Sequence, residues 1–200
     1  MEQKKEVSDE QLRMIHDLMD KGKFEEAKKL IPAQCRRLPL VSKVPGSEWS
    51  LLHYAIWRGG YDIVKYLLDG EADLEINHAT SNATPLYIAA QEGDEKCCEL
   101  LLDRGANIEA RVVGGATPLI AASDKHESVC KLLLTRGADV NAVDNLGCTA
   151  LHLAVFSDNV SVAKLLISKG AQQVKTKKGK QTPLDIAKRR GFLDMISLLK

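Results

Sequence analysis

Residues 117–142 read TPLIAASDKHESVCKLLLTRGADVNA, and this one stretch spells two helices, a turn and a stop. Thr117 can accept an orphan backbone N–H as an N-cap, and Pro118 follows at the first helical position, where a missing N–H costs nothing. A short helix then runs through Leu119, Ile120 and the small residues Ala121 and Ala122. A second run sets Val129, Cys130, Leu132, Leu133 and Leu134 at helical spacing, and Gly137 closes it as a left-handed C-cap. A helix pair of this size buries too little surface to be stable alone.

Working outward, the pattern recurs as WSLLHYAIW around Ser50, TPLYIAA from Thr84, TALHLAV from Thr149 and TPLDIAK from Thr182. The leading residues Ser50, Thr84, Thr117, Thr149 and Thr182 lie 34, 33, 32 and 33 positions apart. Leu-rich stretches end at Gly70, Gly105, Gly137 and Gly170, each expected to supply the left-handed cap. A period near 33 predicts stacked supersecondary units, each lending its apolar face to the next, in place of a single globular core. Between the helices of a unit, Gly93 and Gly191 permit the reversal, and Asp158-Asn159 tolerates it better than most pairs. Lys125 stands where the third copy needs that reversal, which predicts a turn of different shape.

The N-terminal segment carries a weaker version of the unit. Ser8 with Gln11 reads as a capping box, Leu12, Ile15 and Met19 form one stripe, Gly22 breaks it, and Phe24, Ala27, Leu30 and Ile31 form a second. Residues 1–45 are therefore read as a capping helix pair with an enlarged loop marked by Pro32, Pro39 and Pro45. Five units follow at about 46–79, 80–112, 113–144, 145–177 and 178–200, the last polar enough to cap the other end.

The TALHLA of residues 149–154, the LLLTRGADVNA of 132–142 and the 33-residue spacing resemble the ankyrin repeat. The resemblance implies an all-α solenoid, a right-angled stack of helix-turn-helix units with projecting β-hairpin loops. It also implies a non-enzymatic protein-binding role, as scaffold, adaptor, assembly chaperone or stoichiometric inhibitor. In that family partners are generally held on a concave face by hairpin tips and by the exposed ends of the first helices. Carried onto this chain, the helix-end positions are Trp57, Arg58, Gln91, Glu92, Ser123, Asp124, Phe156, Ser157, Arg189 and Arg190. The hairpin positions are Trp49, Ser81, Arg111, Val113, Asn145, Leu146, Lys178 and Gln181, with an insertion between His78 and Ala83. Trp and Arg dominate binding hot spots, so Trp57 and Phe156 are the expected anchors; the alternative is that Trp49 and Trp57 cover the enlarged loop. His53 and His152 hold the fourth signature position, where the resemblance implies hydrogen bonding between neighbouring units and not catalysis. Asn141 sits in a setting similar to that of hydroxylated ankyrin asparagines, with a structural role in the hairpin as the alternative.

A formal charge of +1 gives no whole-molecule attraction to nucleic acid or an anionic membrane, but the total conceals a segregation. Residues 61–110 hold 11 acidic and 3 basic side chains, and residues 164–200 hold 2 acidic and 10 basic. The group Lys169, Lys175, Lys177, Lys178, Lys180, Lys188, Arg189 and Arg190 is either a solvated cap or a docking patch for an acidic protein segment. A phosphate-containing ligand or nucleic acid at the basic end is the alternative reading. Five cysteines at irregular spacing (Cys35, Cys97, Cys98, Cys130, Cys148) point to a reduced compartment, hence a cytoplasmic or nuclear location. Cys97-Cys98 lacks the second pair that zinc requires, so packed thiols are expected. The start MEQKKEV is polar, and no run approaches the roughly 18 apolar residues of a membrane span. No P-loop, GxSxG, HExxH or dinucleotide motif is present. A monomer without cofactor or metal is expected.

Overall fold

The computed structural model describes residues 8–32, 49–76 and 81–200, and within them twelve helices follow in six pairs. These are α1 (Asp9–Asp20) with α2 (Phe24–Lys29), α3 (Leu51–Trp57) with α4 (Tyr61–Leu68), and α5 (Pro85–Glu92) with α6 (Glu95–Asp103). Then come α7 (Pro118–Ala122) with α8 (Glu127–Thr135), α9 (Ala150–Phe156) with α10 (Val160–Ser168), and α11 (Pro183–Arg190) with α12 (Leu193–Leu199). The enlarged connection after Pro32 and the insertion after His78 fall at 33–48 and 77–80, outside the described residues.

Every first helix from α3 onward starts as its hydroxyl residue dictates. Ser50, Thr84, Thr117, Thr149 and Thr182 each accept the backbone N–H three residues on, satisfying one orphan donor per helix. Ser8 does the same for Gln11 at 3.1 Å, but the expected capping box is only half made. The Gln11 side chain instead donates to the Leu30 carbonyl at 2.7 Å, tying α1 to the end of α2.

Two layers result. Helices α3, α5, α7, α9 and α11 contact one another in sequence, and α2, α4, α6, α8, α10 and α12 form the second row. Ala89, Ala90, Ala122, Ala154 and Ala187 are fully buried between neighbouring first helices, where a larger side chain would push the rows apart. The buried side chains form one continuous cluster from Leu12 to Leu199, to which every unit contributes.

The turns follow the expectations with one correction, at Gly70. Gly93, Gly191 and Asp158 are left-handed at the helix reversals. In the third copy no residue takes that conformation; α7 stops after five residues and Ser123, fully buried, donates its hydroxyl to the Leu119 carbonyl at 2.6 Å. Gly105, Gly137 and Gly170 cap the second helices with positive φ, but Gly70 does not. Asp-Gly-Glu-Ala at 69–72 places Glu71, φ +60°, in the slot that Gly105 fills in Asp-Arg-Gly-Ala at 103–106. In the terminal unit Leu193 is 78% exposed.

The hairpins are joined to one another through backbone hydrogen bonds. Val112 N donates to Ala116 O and Asp144 N to Cys148 O within hairpins; Val113 N donates to Ser81 O, Asn145 N to Gly114 O and Lys177 N to Leu146 O between them. Gly115, φ +79°, is obligatory there, since a Cβ would lie 2.9 Å from the Asn145 backbone nitrogen. Among the described residues no helix is long and apolar enough to cross a membrane.

Candidate functional site

The two histidines of the signature are structural. Thr149 N donates to His152 Nδ1 at 3.1 Å, so the ring proton sits on Nε2, which faces the Gln181 carbonyl of the next unit at 3.3 Å. His53 repeats the arrangement, with Nδ1 at 2.7 Å from Ser50 Oγ and Nε2 at 3.0 Å from the Ala83 carbonyl. Burial holds the His152 pKa below its ordinary value. Asp185, in the same position of the last unit, accepts Thr182 N instead. Cys97, Cys98 and Cys130 are buried, free thiols, and burial pushes Cys98 up to about 12 and Cys130 to about 11. They are poor nucleophiles and poor ligands in that state.

A groove of about 440 Å³ opens between the second and third units, counting the N-terminal pair as the first. Its walls are Trp49, Trp57, Tyr87, Ile88, Val112 and Val113, and its rim is Gln91, Glu92 and Gly114. Trp57 ends α3, Tyr87 to Glu92 lie along α5, and Val112 to Gly114 belong to the next hairpin, so three elements build it, the last reaching into the fourth unit. Trp57 is 44% and Val113 67% exposed. Trp49 is half-buried and packs on Trp57 with ring centres 5.6 Å apart.

Of the residues expected to bind, the groove gathers Trp49, Trp57, Gln91, Glu92 and Val113, and also Ser81. The others are not among its lining residues. Arg58 pairs with Asp20, Nε to Oδ1 3.1 Å, and its guanidinium covers the Trp57 ring at 5.1 Å. Arg111 is a strut, donating to the Gly115 carbonyl at 2.8 Å and the Val143 carbonyl at 2.6 Å. Asn145 donates to the Val113 carbonyl at 3.0 Å. Phe156 is half-buried under Arg190, which also donates to the Phe156 carbonyl at 3.0 Å. Leu146, Lys178 and Arg189 are exposed further along the array. Ser123, named as an exposed helix end, is buried, and Asp124 accepts from the Ser157 hydroxyl.

Five further lining residues were not foreseen: Ala83, Tyr87, Ile88, Val112 and Gly114. Tyr87 stands where His53 and His152 stand in two other units, and that departure from the signature was the available signal. His126 is a second surprise. It stands at the N-cap of α8 without capping it, and its Nε2 lies 3.0 Å from the Gln91 carbonyl, beside Gly93, where no Cβ would fit.

Asn141 belongs to a ladder on the loops after the second helices. Glu75 accepts Asn107 N, Glu109 accepts Asp139 N, and Asn141 accepts Gln172 N, each at 2.8 Å. Its Nδ2 also donates to the Gly170 carbonyl at 3.2 Å, so both ends of the amide join adjacent units. Among the described residues no group of His, Cys, Asp or Glu side chains converges to hold a metal ion.

The family described as ankyrin repeats (3 copies) matches residues 15–112, 52–144 and 118–200. The chain is 35% identical over 138 residues to neurogenic locus notch homolog protein 1 of Homo sapiens, covering 68% of this chain and 5% of that protein. It is 30% identical over 115 residues to regulatory protein NPR5 of Arabidopsis thaliana, covering 57% of this chain and 22% of that one. With diacylglycerol kinase iota of Mus musculus it shares 42% identity over 81 residues, which is 40% of this chain and 8% of the kinase. The chain spans only a small part of the length of each of these relatives.

Proposed function

This chain belongs to the ankyrin-repeat family, whose repeats are protein-interaction modules, and we propose that it binds a partner protein in the groove between α3 and α5, without chemistry of its own. One observation carries the proposal: Trp57 and Val113, two of the six exposed large apolar side chains among the described residues, meet in one concave site. Exposed apolar surface gathered in a cleft marks an interaction site, and a Trp there is the usual anchor. The polar side chains support the absence of catalysis, because they are spent at unit spacing on caps and on bonds between units. A scaffold, adaptor, assembly chaperone or stoichiometric inhibitor would all use such a groove. The free thiols Cys97, Cys98, Cys130 and Cys148 fit a cytoplasmic or nuclear setting.

Affinity capture with the whole chain, with Trp57→Ala as its control, tests the proposal. The substitution should weaken the captured partner by about 1–3 kcal/mol and leave the helical circular dichroism unchanged. Equal retention by both proteins would remove the groove as the contact.

A second reading has its own observation. Lys169, Lys175, Lys177, Lys178, Lys180, Lys188 and Arg189 take part in no ion pair among the described residues, and Asp185 offsets only part of their charge through Lys188 and Lys175, so the basic end keeps a net positive field. It suits an acidic protein segment or, as the alternative, a phosphate-containing ligand or nucleic acid.

A further inference from the structure

The groove is apolar on its walls and carries a single charge. Of its lining residues only Glu92 carries an acidic or basic side chain, and among the described residues its carboxylate has no ion pair and no hydrogen bond. The Tyr87 hydroxyl and the Gln91 side-chain amide, on the same face of α5, are equally without partners; only their backbone atoms are engaged. Nearby cations are already committed, Arg58 to Asp20 and Arg111 to two carbonyls. Gly114 leaves the rim open, with no atom within 4 Å of where its Cβ would stand, so a second main chain can approach the hairpin there.

Resting on the groove reading above, we infer that the occupant is an extended segment of a partner protein in which a lysine or arginine adjoins a large apolar side chain. The apolar side chain fills the space between Trp57, Ile88 and Val113. The cation meets Glu92, and the Tyr87 hydroxyl and Gln91 amide take hydrogen bonds from the segment's polar groups. A carboxylate in the cation's place would face Glu92 with nothing to compensate it, so charge sets the choice of sequence while the apolar contact supplies adhesion.

Panning a random heptapeptide display library on the full chain tests this, with binding of the enriched synthetic peptides read by tryptophan fluorescence. The chain's two tryptophans, Trp49 and Trp57, both line the groove, so occupancy perturbs the whole signal. Enriched peptides should carry Lys or Arg beside an apolar residue, and should bind Trp57→Ala and Glu92→Lys at least about tenfold more weakly. Replacing the peptide's cation by Glu should restore binding to Glu92→Lys. Peptides that depend on Trp57 but show no preference for a cation, or bind Glu92→Lys unchanged, would overturn the cationic assignment and leave the groove as a contact surface. A library that yields no peptide dependent on Trp57 would overturn both.

Discussion

His152 illustrates how one residue can be decisive without being a catalyst. Its ring accepts from Thr149 N, faces the Gln181 carbonyl of the next unit, and is buried, so the neutral form is the one the fold selects. Burial lowers its pKa, as it does for His16. Between the ordinary histidine value near 6.5 and the lowered one, the unfolded chain binds a proton that the folded chain refuses. Stability is therefore full above about pH 6.5 and falls as the pH drops below it. The urea midpoint should decrease between about pH 7.5 and about pH 5, a window that stays above the ordinary carboxylate values, and His152→Gln should shrink the decrease. A midpoint that rises on acidification would contradict the neutral, buried assignment. Trp57 is the residue-scale test of function, since its removal costs the groove a wall but no bond between units.

At the scale of the element, short helices depend on their ends. Glu71 is the informative case: the order Gly70-Glu71 puts a Cβ residue at φ +60° in the cap that glycine fills in the next three units. An L-residue there pays about 1–2 kcal/mol in backbone strain, partly offset by the greater freedom of an unfolded glycine. Glu71→Gly should therefore stabilise the protein by about 0.5–1 kcal/mol in denaturant unfolding; a loss of stability would mean that the Glu71 side chain outweighs its strain. The α7–α8 turn shows the reverse strategy. With Lys125 in place of glycine, α7 ends early, Ser123 is drawn inside, and His126 gives up its capping role to hold the previous unit at Gln91. The sequence predicted that this turn would differ, but not that its histidine would become a tie between units.

For the whole molecule, the continuous core replaces a globular centre, so the consequence of a cavity depends on its place in the stack. Leu133→Ala, fully buried in α8, should cost about 2–5 kcal/mol. Leu193→Ser, at the exposed start of α12, should stay within about 0.5 kcal/mol in the same unfolding experiment. Salt separates the two functional readings: raising it from about 0.05 M to about 0.5 M shortens the reach of charge from roughly 14 Å to 4 Å. A ligand of the basic end should weaken strongly across that range, and one held mainly by Trp57 and Val113 only modestly; a captured partner whose affinity ignores salt would exclude the basic end. The fold was legible because its determinants are local and periodic. Thr-Pro starts, glycine stops and apolar stripes recur every 33 or so residues, and a repeated local rule sets a stack without knowledge of long-range contacts. The site was legible only in part, since spacing identifies which positions reach the concave side and says nothing of what each side chain meets there. Arg58, Arg111 and Asn145 were drawn into bonds between units, Phe156 was covered by Arg190, and Tyr87, Ile88 and Val112 joined Trp57 in the groove. Those outcomes depend on which unpaired carbonyl or ring lies one unit away, a distance across the stack that tertiary structure alone decides.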